Sequence, residues 1–421
     1  MSSHALRVAL IDPSLFTVPY DAKLAAALRG AGHDVALYGE APVAATGQGE
    51  LPELRPLFYR ELAGIGTDRW PRQAVRLAKG ALHAASMRRL TAELRRTAPD
   101  VIHFQWTPLP AVDRFFICRL RELAPVVLTA HDSRPFNGSA WRLQKWGATR
   151  ILGEFDGVIV HTEEARTRLV SDGLPSGRVV RIAHGLLDEA VPVAPQTAAP
   201  RTAMAAPDRV RFLLFGKLKP YKGADLLIEA FRRLPPELRQ RAELHIVGKP
   251  YMDVAPLREA ARGLGESVKL DLRFVPDEEM GAMLGQADVV VFPYREIDVS
   301  GVLMAALRYG RPIIASAIGG FAELLTEGRH GILVPPNDAG ALAAAMARLC
   351  GDPPLRAAMG AAVAELGAAV PSWEAIASRT AEFYRSVLAA RQNQRSGTKT
   401  TSPGPTGVMS VAAQRRRSGS P

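Results

Sequence analysis

Cysteine is scarce. Cys118 and Cys350 are the two in 421 residues. That excludes a disulfide-stapled scaffold and a thiolate zinc cluster, and it fits a reducing compartment. Long apolar runs are missing as well. No stretch reaches the ~18 uninterrupted apolar residues of a membrane-spanning helix. The opening Met-Ser-Ser-His-Ala-Leu-Arg runs straight into a strand-like segment and lacks the apolar core of a signal peptide. The expectation is a cytoplasmic protein, in contact with a membrane only peripherally, at its cytoplasmic face. There is no His-x-x-x-His, cysteine pair or acidic cluster, so no protein-bound metal is expected.

What remains is an ordinary globular composition, 47% hydrophobic and 23% charged. At roughly 150 residues per domain the length suits two or three domains. The net charge is +11, but its location matters. Residues 391–421 carry Arg391, Arg395, Lys399, Arg415, Arg416 and Arg417 and no acid. This stretch is rich in Ser, Gly, Pro and Gln, has little to bury, and reads as a disordered basic tail. Nucleic acid is not the expected partner, because the basic residues concentrate in that tail without an aromatic stacking platform.

Along the chain, short apolar runs alternate with helical stretches. Arg7–Ile11, Val35–Tyr38, Val101–Phe104, Val126–Thr129 and Val158–His161 read as buried strands. Such runs separated by helices predict a parallel sheet covered on both faces. Residues 191–208 hold Pro192, Pro195, Pro200 and Pro207 and read as a linker. The pattern then restarts with Arg211–Phe215, Leu244–Gly248, Val289–Phe292 and Pro312–Ala315. The predicted fold is α/β, with two doubly wound, Rossmann-like halves facing a cleft: 1–190, then 209–371 after the linker. A helix over 372–390 follows, before the tail. Ligands bind beyond the carboxyl ends of such strands, which places the loops after each strand at the site.

One loop stands out. In Phe215-Gly216-Lys217-Leu218-Lys219-Pro220-Tyr221-Lys222-Gly223 a strand ends at a glycine and lysines precede a helix. Gly216 lets the backbone approach a ligand, and Lys217 and Lys222 add point charges, which suits a diphosphate. The Gly-Lys-Ser/Thr ending of a Walker loop is absent. A plain surface loop with solubilising lysines is the alternative. A second segment, Ser300-Gly301-Val302, places a capping serine and a glycine at a helix start. A third, Ala317 to Leu324, is a glycine turn followed by Glu323.

Together these segments resemble the nucleotide-sugar-dependent retaining glycosyltransferases of family 4, whose architecture is GT-B. Phe215–Phe231 resembles that family's phosphate loop and helix, and Pro312–Pro336 its carboxyl-terminal signature. The resemblance covers residues 5–390. It implies that the second half binds a nucleoside diphosphate sugar and the first half a carbohydrate or lipid-linked acceptor. Transfer with retention, without metal or cofactor, in polysaccharide or cell-envelope assembly, is the implied activity. The implied donor site comprises Gly216, Lys217, Lys222, Gly248, Ser300, Gly301, Val302 and Glu323, with main-chain groups around Arg273, Phe274 and Val275 on the base.

In Thr129-Ala130-His131-Asp132, His131 resembles the family's strand-end histidine beside the transferring sugar, with Asp132 next to it. A His-Asp pair capping the following loop is the alternative. Tyr20 and Asp21 are candidate acceptor contacts. His103, His161 and His245 read as packed, and His184 as structural. Two departures stand out. Lys217 replaces the family's usual arginine, and Ala305 occupies the position of its second glutamate, the ribose ligand. Ala305 and the tail keep a non-catalytic scaffold in view, and a sugar-nucleotide epimerase shares the architecture. Arg69, Arg72, Arg76 and Lys79 share a helix face with Trp70, Leu77 and Leu82 nearby. Arg88, Arg89, Arg95 and Arg96 continue the charge, so residues 69–96 suit either an anionic membrane or plain solvent.

Overall fold

The computed structural model describes residues 4–40, 53–62, 70–132, 148–187 and 209–399. It contains two parallel sheets. The first holds β1 (Arg7–Asp12), β2 (Asp34–Glu40), β3 (Leu54–Phe58), β4 (Val101–Phe104), β5 (Val126–Thr129), β6 (Gly157–Val160) and β7 (Val179–Arg181), in the order β3-β2-β1-β4-β5-β6-β7. The second holds β8 (Val210–Phe215), β9 (Ala242–Val247), β10 (Val268–Asp271), β11 (Val289–Phe292), β12 (Ile313–Ser316) and β13 (Gly331–Val334), in the order β10-β9-β8-β11-β12-β13. In each, the strand order reverses beside the first strand, between β1 and β4 and between β8 and β11. Both reversals open a crevice at the carboxyl ends of the strands.

The sequence shows why. β4, β5, β6, β11 and β12 are buried along their whole length, as strands covered on both faces must be. β3 was not anticipated. It contains Pro56 and sits at the sheet edge, where a missing N–H costs no ladder bond. The linker 191–208 lies outside the described residues.

The last helix, Trp373–Lys399, returns to the first domain. Its Trp373, Ile376, Ala381, Phe383, Tyr384 and Val387 share a core with Leu6, Val8, Leu10, Tyr20 and Leu24. Trp373 also donates from Nε1 to Leu186 O at 2.8 Å. Burying a side chain such as Ile376 contributes about 1.5–3 kcal/mol. This helix corrects the expected boundary of the tail. Residues 391–399 are helical rather than disordered, because Arg and Gln are good helix formers and extending an existing helix needs no new nucleus. Residues 400–421 lie outside the described residues.

Among the described residues, no helix is long and apolar enough to cross a membrane. The basic helix spans Arg72–Thr97. Arg69 and the side chains of Arg72 and Arg76 lie outside the described parts. Lys79 turns inward to Glu40 at 2.5 Å, and Arg89 pairs with Glu61, so these two charges are partly spent within the fold. Trp70 and Leu77 are exposed.

Candidate functional site

The phosphate-type loop leaves β8 at Gly216, whose φ of +112° few other residues adopt. Gly248, after β9, has φ +143°, and a Cβ there would fall 2.0 Å from Gly216 O. The two glycines abut, so Gly248 has no room for a side chain. A Cβ on Gly216 would lie 2.9 Å from Lys222 Nζ and 3.0 Å from a Val302 methyl. The structure therefore brings Gly216, Lys222, Val302 and Gly248 together.

Lys222 ends a short 3-10 turn, Pro220–Lys222. It is 6% exposed, and its ammonium lies 5.1 Å from the centre of the Tyr294 ring. Burial lowers its pKa to about 8. Among the described residues it makes no salt bridge. Lys217 is likewise lowered, by burial first and then by the charges of Lys219, Lys222 and Lys249. Four ammonium groups thus crowd one loop cluster, an arrangement that an anion relieves.

Arg295 staples this loop, a role that the sequence did not suggest. Its guanidinium donates to Pro220 O at 2.7 Å, to both carboxylate oxygens of Asp225 at 3.0 and 2.7 Å, and to Asn337 Oδ1 at 2.8 Å. The fork geometry of arginine makes this a rigid anchor. Ser300 caps the helix Gly301–Ala306 by accepting from Leu303 N at 3.2 Å. Arg273, Phe274 and Val275 follow β10, whose Asp271 O accepts from Gly248 N at 2.8 Å. Arg273 is paired with Asp271 and Glu279, Phe274 is exposed and Val275 buried.

Across the cleft stand the loops of the first domain. Phe16 stacks on Trp106, centroids 5.0 Å apart, and Lys217 Nζ lies 5.2 Å from the Phe16 ring. Asp132 lies close enough to Tyr221 to push the phenol upward, after burial and Tyr294.

Three expectations need correction. Tyr20 and Asp21 are 3% and 0% exposed and present no surface to an acceptor. Tyr20 instead packs among His131, His161, His184 and Trp373. Asp21 sits beside Asp12, with Thr17 Oγ between them at 3.2 and 3.3 Å. Burial and the charge of Asp12 push Asp21 well above the usual carboxylate range. The Glu323 carboxylate is taken up by the first domain. It accepts from Glu163 N at 2.8 Å and Glu164 N at 2.6 Å, at the start of a helix in the first domain. Two unpaired amides at a helix start draw in a carboxylate.

His131 is half-buried, with both ring nitrogens engaged: Nδ1 at 3.2 Å from His161 Nε2 and Nε2 at 2.9 Å from Gln105 Oε1. Burial, followed by His161, His184 and His103, holds it well below the usual imidazole range. His103 and His161, read as mere packing, thus belong to one cluster with His131. Their shared signal was position, since each lies in or just after a strand of the same sheet. His245 is separate, in β9 beside Glu243.

Comparison with known proteins agrees with this architecture. A family model described as "Glycosyltransferase Family 4" matches residues 22–188, and one described as "Glycosyl transferases group 1" matches 209–352. The chain belongs to glycosyltransferase family 4. A D-inositol 3-phosphate glycosyltransferase of Geodermatophilus obscurus is 31% identical over 267 residues, 59% of this chain and 58% of that protein. Its counterpart from Kribbella flavida is 27% identical over 339 residues, 76% of this chain and 78% of that protein. A GDP-mannose-dependent alpha-(1-6)-phosphatidylinositol monomannoside mannosyltransferase of Mycolicibacterium smegmatis is 31% identical over 255 residues, 58% of this chain and 65% of that protein. The match to the first of these spans less than two thirds of the relative's length. Among solved structures, Anabaena Alr3699/HepE in complex with UDP superposes with a TM-score of 0.69 at 18% identity, covering 90% of this family 4 chain and all of that one. At that identity the likeness speaks for the GT-B fold.

Proposed function

We propose that this family 4 chain moves a sugar from a nucleoside diphosphate donor to a hydroxyl of a carbohydrate or lipid-linked acceptor. The proposal includes retention at the anomeric carbon, no metal and no resident cofactor, and a role in polysaccharide or cell-envelope assembly. The carrying observation is Lys222, a buried ammonium without an ion pair among the described residues, set against Gly216. In the reaction the bond from the anomeric carbon to the diphosphate breaks, one to the acceptor oxygen forms, and the acceptor's hydroxyl proton passes to the departing diphosphate. Negative charge then grows on the diphosphate, where Lys217 and Lys222 stand preorganised to stabilise it. The named relatives, which include an inositol phosphate glycosyltransferase and a GDP-mannose-dependent enzyme, support this substrate class. Exposed Trp70, just before the basic helix, and exposed Leu77 on it support peripheral membrane contact at the acceptor side.

The test is thermal shift against UDP-, GDP- and ADP-sugars and the bare nucleotides, in EDTA. One nucleotide class should raise the melting temperature, and Lys217→Ala and Lys222→Ala should abolish the rise. A second reading, a non-catalytic partner protein, is favoured by Ala305, which cannot bind a ribose. It prevails if no nucleotide shifts the transition, with or without acceptor.

A further inference from the structure

The imidazoles of the first domain stand at neighbouring strand ends. His131 and His161 have ring centroids 5.1 Å apart, and His161 and His184 5.0 Å. Tyr20 touches all three rings. Among the described residues, no three metal-ligating side chains converge on an ion site. The hydrogen bonds themselves dictate where the protons lie.

His161 Nδ1 is 2.9 Å from Ile182 O. A carbonyl only accepts, so Nδ1 carries the proton. Burial lowers the pKa of His161 to about 4, so the ring is neutral at pH 7 and its Nε2 is bare. That nitrogen is 3.2 Å from His131 Nδ1, which must then donate. His131 is itself neutral, so its Nε2 is bare too. Gln105 Oε1 stands 2.9 Å from it, which would set two acceptors face to face. The ends of an amide are nearly interchangeable, and a half-turn puts the NH2 of Gln105 on the histidine. The other end of the amide loses little, since its contacts to the two His103 nitrogens are long, 3.5 and 3.4 Å.

We infer that His161 and Gln105 are positioning residues that hold His131 as its Nδ1–H tautomer, with Nε2 a hydrogen-bond acceptor. A free neutral imidazole prefers the opposite tautomer, so the protein must impose this one. The consequence rests on the placement of His131 beside the donor sugar proposed above. A sugar hydroxyl that shares Nε2 with Gln105 donates to it, and His131 offers no proton there. It orients the sugar as an acceptor and does not act as a general acid.

The test is long-range 1H–15N correlation on the full chain labelled at histidine, at pH 7. His131 and His161 should both show protonated Nδ1 and bare Nε2. His161→Leu should release His131 to the Nε2–H form. His161→Gln, whose amide oxygen still accepts, should keep the Nδ1–H form. Gln105→Glu should draw a proton onto Nε2. With donor and acceptor, His161→Leu should lower kcat about tenfold or more, as misplaced groups do, and His161→Gln should restore most of it. If His161→Leu does not fold, His161→Gln and Gln105→Glu carry the test. A wild-type His131 protonated at Nε2, or unchanged in both His161→Leu and Gln105→Glu, overturns the inference. The stated tautomers in a chain that transfers no sugar overturn the transferase reading and leave the tautomer assignment standing.

Discussion

Glu323 caps a helix that belongs to the other domain, through bonds of 2.8 Å from Glu163 N and 2.6 Å from Glu164 N. Close by, Asp298 meets Arg168 at 3.1 Å. Two carboxylates of the second domain thus grip one helix of the first, Glu163–Ser171.

This grip predicts a selective effect on closure. Glu323→Ala should cost about 1 kcal/mol, the usual worth of a cap, and should enlarge the particle in small-angle scattering. Asp352→Ala removes a cap from a helix within the second domain, Pro353–Ala369, the bond from Leu355 N at 2.9 Å. It should cost a similar amount and leave the scattering unchanged. Equal scattering from both variants would dismiss the grip.

A second prediction concerns pH. Lys222 has a pKa lowered to about 8 by burial. A bound diphosphate favours its charged form, so nucleotide affinity should fall as pH rises from 7 to 9. Lys222→Arg should flatten that fall, since arginine stays charged. Stability runs the other way. Between the folded value and the ordinary lysine value the unfolded chain binds more protons, so stability should rise with pH across that window. Titration calorimetry and urea denaturation at matched pH read the two slopes.

Ala305 gives a third. It is 1% exposed, in a cluster with Phe215, Leu303 and Leu307. Restoring the family's acid as Ala305→Glu should destabilise by about 2 kcal/mol or more, since burying an unpaired carboxyl is costly. The loss should shrink below pH 4, where the carboxyl is protonated in both states. A variant of wild-type stability with tighter nucleoside binding would show that the position opens onto a ribose pocket.

Gly248 supplies a fourth. Gly248→Ala puts a Cβ 2.0 Å from Gly216 O at a φ of +143°. It should lower the midpoint of denaturation by the equivalent of about 2–3 kcal/mol and weaken nucleotide binding together with it. An unchanged midpoint would mean that the two loops separate freely.

The two-sheet architecture was legible because fully covered parallel strands are continuous apolar runs. Arg7–Ile11 and Val289–Phe292 look like strands in any reading. β3 was not, because Pro56 masks its periodicity. The phosphate-type loop was legible because glycine and lysine act locally, within a few residues of chain. Glu323 was misread for the opposite reason, since its partner amides lie in another domain. The histidine cluster was not legible residue by residue. Parallel register sets His131 beside His161 although a helix and a connection separate them in sequence. Arg295 gave no signal at all, because its partners come from two segments far from it in sequence.

The return of the last helix bears on how the chain is made. Tyr384, which bonds His103 at 2.6 Å, and Trp373, which covers Tyr20, are synthesised after the whole second domain. At 5–20 residues per second, the first sheet spends roughly 10–40 s beyond the ribosome with one flank of its core uncovered. A fragment ending at residue 190 therefore lacks the side chains that cover Leu6, Val8, Leu10, Tyr20 and Leu24, and the amino-terminal half is finished by the last helix.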